Sequence, residues 1–265
     1  MTDLLPAPFD LTDRVALVTG GGTGIGEATA HVLAQFGAEC VLASRKLENL
    51  ERVAKDVANE SGRRCLAVRA DVREEDDVEA MIERTITEFG RIDILVNNAG
   101  GSYLFPLVDT PPDRWDNSVN LNLRGPFLCT RAAGRHMLER RSGVIVNISS
   151  GAGVHGVRGG AAYSAAKAGL QMFTRVVAAE WGPKGIRANA IAVGLVASGN
   201  ALRSWERSGI DPESMQRGIA LRRVGTPMDI AYPVLFLASD ASSYLSGETI
   251  YVNGGPTMGG LPDED

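Results

Sequence analysis

Short apolar runs alternate with longer segments of helical period along the whole chain. The short runs are Val15–Thr19, Cys40–Ala43, Leu66–Arg69, Ile92–Val96, Val144–Ile148, Arg187–Ala192 and Thr249–Val252. Each has the length and composition of a strand in a covered sheet. The helical runs between them are Ile25–Phe36, Leu47–Asn59, Glu74–Phe89, Trp115–Arg140, Ala162–Trp181 and Met228–Ala238. Gly37, Gly90 and Gly182 stand just past three of these, where a helix C-terminus favours glycine. Pro233 falls inside the last run. An interior proline costs about 3 kcal/mol, so a break or a late start is expected there.

Strands flanked by such helices predict parallel βαβ units, hence an α/β fold with a doubly wound, seven-stranded parallel sheet and helices on both faces. No repeat or linker divides the chain, so residues 1–265 read as one domain. Residues 1–12 form an N-terminal arm and 254–265 a tail. Residues 194–222 make a connection too long for the strand–helix rhythm, which reads as a substrate lid. A fixed helix packed by Leu202, Trp205 and Ile210 is the competing reading of that connection.

Composition narrows the class. A net charge of −5 argues against a dedicated nucleic-acid surface. No run resembles a membrane span or a signal peptide. The three cysteines, Cys40, Cys65 and Cys129, have no metal-ligand spacing and sit in apolar or helical runs. They read as reduced, buried thiols in a cytoplasmic protein without a metal site.

The first strand runs into Thr19-Gly20-Gly21-Gly22-Thr23-Gly24-Ile25-Gly26, and a helix follows. Glycines in such a turn let the backbone approach a pyrophosphate, and the helix N-terminus offers N–H groups and a positive dipole end. A fold of this kind that selects NAD carries an Asp or Glu about 20 residues on, against the ribose hydroxyls. Here that place reads Ala43-Ser44-Arg45-Lys46 and holds no acid. Arg45 can pair with a 2′-phosphate through its planar fork, and Ser44 can add a hydroxyl. NADP(H) is therefore favoured over NAD(H).

The stretch Val144–Lys167 carries the candidate chemistry. Tyr163 and Lys167, four residues apart, share one face of a helix. A nearby ammonium stabilises a phenolate, so the pair can exchange a proton with a carbonyl or hydroxyl oxygen. Ser150, at the end of the preceding strand, can hydrogen-bond the same oxygen.

With these motifs in place, the chain resembles the short-chain dehydrogenase/reductase family from Arg14 to Gly255. The spacing of Gly20, Gly22, Thr23, Gly24, Ile25 and Gly26 is that family's cofactor turn. Asp71-Val72 matches its adenine contact. Asn97-Asn98-Ala99-Gly100 matches its N-N-A-G motif, which supports the sheet and lies beside the adenosine ribose. Asn122, Ser150, Tyr163 and Lys167 match its catalytic set, with Asn122 preferred to its neighbour Asn120. The resemblance implies a single-domain Rossmann fold and a homotetramer. Its reaction is hydride transfer between NADP(H) and a carbonyl or secondary alcohol, in which Tyr163 exchanges the proton. Lys167 lowers the Tyr163 pKa and holds the nicotinamide ribose, Ser150 orients the carbonyl, and Asn122 holds a water.

Where the family has P-G-x-V-x-T, this chain reads Val193-Gly194-Leu195-Val196-Ala197-Ser198. Val196 is expected to offer a backbone N–H to the carboxamide and Ser198 a hydroxyl, on a looser hinge. Substrate-lining candidates are Gly101, Ser102, Tyr103, His155–Arg158 and the lid, whose Arg203, Trp205, Arg207 and Arg217 could grip an anionic handle such as coenzyme A. Enoyl- or dienoyl-CoA-type reduction is the second reading of the reaction, although dienoyl-CoA reductases lack the Tyr–Lys pair. A non-catalytic cofactor-binding regulator on the same fold is the third.

Overall fold

The computed structural model of the chain describes residues 7–255 except Tyr103, Ser208 and Ile210. Tyr103, Ile210, the Arg207 side chain and residues 256–265 therefore lie outside the described residues. Seven parallel strands form one sheet in the order β3-β2-β1-β4-β5-β6-β7. They are β1 Val15–Thr19, β2 Glu39–Ser44, β3 Cys65–Arg69, β4 Ile94–Asn97, β5 Gly143–Ser150, β6 Ile186–Val193 and β7 Thr249–Val252.

Alternation along the strands splits the core in two, because successive side chains leave a strand on opposite faces. Ala16, Val18, Val96, Val146 and Ile191 pack under α1 Gly24–Gln35, α2 Leu47–Ser61 and α10 Pro227–Ala238. Val15, Leu17, Leu95, Ile145 and Ala188 face α3 Glu75–Phe89, α5 Gly125–Arg140 and α7 Ala161–Trp181. Strand order reverses between β1 and β4, which opens a crevice at the C-terminal edge of the sheet, where ligands bind in open α/β folds.

Three expectations need correction. The run Trp115–Arg140 begins earlier, as α4 Pro112–Val119, and passes through a π-helical turn at Asn120–Arg124 before α5. Proline at the first helical position is pre-organised for that start. Gly182 does not close its helix in the left-handed region but continues it into a 3₁₀ turn, and Gly185 (φ 79°) makes the left-handed exit. Pro233 neither breaks nor delays α10, which runs unbroken from Pro227 to Ala238. The proline withholds a hydrogen bond only from Asp229, in the first turn. That turn is secured by a capping box between Thr226 and Asp229, and Ile230, Ala231, Val234, Leu235 and Leu237 are buried around the proline.

The connection 194–222 holds two short helices, α8 Gly199–Arg207 and α9 Pro212–Gln216. It is tied down at both ends. Val196 bridges to Gly225, and Ala220 and Leu221 donate backbone bonds to Gly255 and Gly254 at 2.9 and 3.0 Å. Between these ties Leu202 is exposed. The missing proline at 193 does not leave a loose hinge. Val193 is the buried last residue of β6, in register with Ser150 and Val252, and its carbonyl accepts from the Gly151 N–H at 3.0 Å. A proline there could not donate to the sheet, whereas valine extends it. The four-residue helix between β5 and α7 is α6, Ala152–His155. No described helix is long and apolar enough to cross a membrane.

Candidate active site

At the crevice the β1 turn is braced by its neighbour strand. Thr19 Oγ1 donates to the Val96 carbonyl at 3.3 Å and accepts from the Asn98 and Ala99 N–H groups, both at 3.0 Å. Asn98 Nδ2 returns bonds to the Thr19 and Gly20 carbonyls at 2.8 and 3.2 Å. Gly20 is left-handed (φ 67°), and a Cβ there would lie 2.8 Å from Asn98 Nδ2. At Gly26 a Cβ would collide with the Gly20 carbonyl, so both positions need glycine for the turn to close on itself. Gly22 meets Asn49 on α2 in the same way. Thr23, the N-cap of α1, is extended and its side chain makes no capping bond. The first-turn N–H groups of Gly24, Ile25 and Gly26 thus have no side-chain cap.

Around the second strand's end, Arg45 is exposed and makes no ion pair among the described residues. It stands close enough to Asp71 for its charge to be felt there. The Asp71 carboxyl is held below its usual range chiefly by Arg73, whose Nε donates at 2.9 Å, with Arg45 adding a smaller share. Ser44 Oγ accepts weakly from the Lys46 N–H at 3.4 Å, and Lys46 is the N-cap of α2. Val72 is buried against Gly125, at the start of α5.

The chemistry-bearing side chains converge where β5 meets α7. Ser150, the last residue of β5, accepts from the Ala152 N–H at 3.1 Å, and its hydroxyl stands near enough to the Tyr163 phenol to influence its ionisation. Lys167, one turn below Tyr163, is buried and donates from Nζ to the Ile148 carbonyl at 2.8 Å. Its Nζ lies 5.7 Å from the Tyr163 ring centroid and 3.3 Å from where a Gly100 Cβ would be. Asn122, inside the π turn and fully buried, donates to the carbonyls of Gly101 and Ser118, both at 2.9 Å, and accepts from the Gly101 N–H at 3.2 Å. One amide donor thereby holds the turn after β4, and the other is spent on α4 one turn back.

Burial sets the protonation states. It pushes the Lys167 ammonium down to about 8. It raises the Tyr163 phenol above its ordinary value, a rise opposed by the nearby Ser150 hydroxyl. Lys167 contributes no resolved share to the Tyr163 shift in this geometry, and its ammonium is engaged with the Ile148 carbonyl, 5.7 Å from the Tyr163 ring centroid.

Past the end of β6, Ser198 leans over the glycine turn, and a Cβ on Gly24 would lie 3.1 Å from Ser198 Cβ. Ala197 N donates to Gly225 O at 2.8 Å and Gly225 N to Leu195 O at 3.0 Å, whereas the Val196 N–H has no acceptor among the described residues. Gly101 is half-buried against Asn122, and Ser102, His155 and Arg158 are exposed. Leu104 and Val157, from the segments after β4 and β5, meet at Gly160, the N-cap of α7, each 3.4 Å from a Cβ built there. Arg203 on α8 and Arg217 just past α9 are exposed.

Sequence reasoning missed Gln171, whose amide reaches the end of β5. It also missed the buried chain in which Asn97 Nδ2 donates to Asn147 and Asn147 Nδ2 to Thr174, each at 2.8 Å. The available signal was spacing, since Tyr163, Lys167 and Gln171 fall at successive i+4 positions.

Residues 20–257 match a family described as enoyl-(acyl carrier protein) reductase. The chain belongs to the short-chain dehydrogenase/reductase family. Like its relatives it is an oxidoreductase on a single-domain Rossmann-like fold. It is 41% identical over 251 residues to the 3-oxoacyl-[acyl-carrier-protein] reductase of Synechocystis, covering 94% of this chain and 98% of that one. It is 36% identical over 249 residues to the zebrafish peroxisomal 2,4-dienoyl-CoA reductase, covering 94% and 83%. Among solved structures, a Beutenbergia cavernae chain described as an NAD(P)-dependent gluconate 5-dehydrogenase, with NADP at low occupancy, superposes with a TM-score of 0.86. The two are 36% identical, over 93% of this chain and 98% of that one.

Proposed function

We propose that the protein interconverts a carbonyl and a secondary alcohol with NADP(H), using Tyr163 as proton donor and acceptor. The observation that carries this reading is the meeting of Ser150, Tyr163 and Lys167 at the C-terminal edge of the sheet, beside the strand-order reversal.

The residues fit a dinucleotide. The α1 N-terminus has no side-chain cap, and the glycines of the turn before it carry no side chain to cover its backbone N–H groups. Asn98, Ala99 and Gly100 wall the crevice, with Asp71 and Val72 at the adenine end. Arg45 and Ser44 suit a 2′-phosphate, with Lys46 adding charge. Val196 has an N–H to give a carboxamide, and Ser198 a hydroxyl beside Gly24. The bound nicotinamide supplies or accepts the hydride.

The chain's own residues do the rest. Ser150 accepts from Ala152, which leaves its hydroxyl proton to bind a substrate oxygen and stabilise charge developing there. Tyr163 gives its proton to that oxygen in reduction and takes it back in oxidation. Lys167 holds a ribose hydroxyl and, once its ammonium faces the phenol, favours the phenolate. Asn122 keeps the Gly101 turn in place around that ammonium.

Exposed Leu104 and Val157, meeting at the N-cap of the helix that carries Tyr163, favour a carbonyl on a partly apolar frame. Reduction of an enoyl thioester such as an acyl-CoA is the second reading, favoured by the family description and the dienoyl-CoA reductase relative. Screening ketones, secondary alcohols and enoyl-CoAs with NADPH and NADH side by side separates the two. NADPH-dependent ketone turnover supports the first reading. Turnover of enoyl-CoA alone overturns it.

A further inference from the structure

Tyr163, Lys167 and Gln171 occupy successive turns on one face of α7, and each reaches the end of β5. The Gln171 reach is the most elaborate. Its Nε2 donates to Ser149 Oγ at 3.0 Å and to the Ser150 carbonyl at 3.1 Å. The carbonyl can only accept, so the NH₂ end of the amide must face it. Ser149 Oγ in turn donates to the Lys167 carbonyl at 3.1 Å. A closed path therefore runs from the Lys167 backbone through the Ser149 hydroxyl and the Gln171 amide to the Ser150 backbone.

Two further features show that the fold makes room for this path. Ser149 is buried, so its hydroxyl needs both partners. Gly153 on α6 faces the amide, and a Cβ there would lie 2.9 Å from Gln171 Nε2 and 2.7 Å from the Ala168 N–H. Any larger residue at 153 would push the amide off β5.

We infer that Gln171 is a positioning residue that fixes Ser150 relative to Tyr163 and so sets the geometry in which both hydroxyls meet one substrate oxygen. The inference rests on the proposed reaction. Gln171 touches neither substrate nor cofactor, because it lies two turns along α7 from Tyr163, behind the Ser150 backbone. Without the amide, the Ser150 carbonyl and the Ser149 hydroxyl lose a shared donor, and the Ser150 backbone loses its tie to α7. Misplacement of a reacting group by a fraction of an ångström lowers turnover while leaving substrate and cofactor affinity largely intact.

The test is a double-mutant cycle with a kinetic readout. Gln171→Met keeps length and volume but cannot donate, and Gln171→Glu keeps shape but turns an acceptor towards the carbonyl. Each variant is expected to lower kcat for ketone reduction about 10-fold or more, with KM and NADPH affinity within about twofold of wild type. In a Ser150→Ala background the same Gln171 substitutions are expected to cost no further kcat, because the group they position is gone. Equal losses in both backgrounds overturn the inference, as does a KM rise with kcat unchanged. If one Gln171 variant fails to fold, the other carries the cycle. Should Ser150→Ala and Tyr163→Phe both retain wild-type turnover, the reaction assignment itself falls, an outcome separate from any behaviour of Gln171.

Discussion

The Lys167 ammonium donates to the Ile148 backbone carbonyl at 2.8 Å while lying 5.7 Å from the centroid of the Tyr163 ring. The lysine is thus held by the strand that delivers Ser150, one turn along the helix that delivers Tyr163. A single buried charge joins the two elements of the site.

That burial predicts a pH limb. Lys167 titrates near 8, below its ordinary range, while Tyr163 is shifted upward, so the proton lost first as pH rises is the lysine's. The kcat/KM for NADPH reports ionisations of the free enzyme. It should be flat below the limb and fall roughly tenfold per unit above it, since the charged form holds the ribose. Lys167→Arg keeps its charge through this range and should abolish the limb, at a lower overall rate. An unchanged limb in the arginine variant would assign it to another group.

Arg45 carries the cofactor choice. Arg45→Ala should weaken NADPH about 10-fold or more, the worth of a charge-assisted contact, and leave NADH nearly unchanged. Titration of both cofactors by nicotinamide fluorescence measures the difference. Equal weakening of the two would remove Arg45 from the 2′-phosphate.

Much of this was legible in the sequence because it depends on spacing along regular elements. The glycine turn, the i, i+4 pair of Tyr163 and Lys167, and the strand–helix rhythm are all local patterns. The departures come from effects that periodicity does not encode. Pro233 is tolerated because buried neighbours and the Thr226–Asp229 box hold α10. The π turn at Asn120–Arg124 inserts an extra residue that a helical count absorbs silently, yet it belongs to the segment that aims Asn122 at Gly101. Lys167 was expected to act on Tyr163 directly, and only the packed strand reveals the Ile148 carbonyl that competes for it. Gln171 carried a correct spacing but no motif.

The helices α8 and α9 should behave as a lid hinged between the Val196–Gly225 bridge and the Ala220–Gly255 bond. Hydrogen exchange should give low protection over 199–216 in the apo protein and a clear rise with NADPH plus substrate. Strong protection without ligand would make the segment a fixed wall.

An oligomer, most simply a homotetramer, is expected from the outer faces of α5 and α7. Phe127, Met172 and Val176 are 40%, 57% and 45% exposed there, whereas Leu128, Met137, Leu170 and Val177 are buried within the subunit. Closed symmetric assembly covers such surfaces. Light scattering at micromolar concentration should return a multiple of the 28.1 kDa chain mass. Met172→Glu should lower the assembly size, and a stable, active wild-type monomer would contradict the expectation.

The central claim, that Tyr163 moves the proton to and from the substrate oxygen, is tested most directly by Tyr163→Phe. The ring and its packing remain and only the phenol oxygen is lost. The variant should bind NADPH within about twofold of wild type and lose about 100-fold or more in ketone reduction, the scale of general acid–base catalysis. Near-wild-type turnover in this variant, with contaminating activity excluded, would contradict the account.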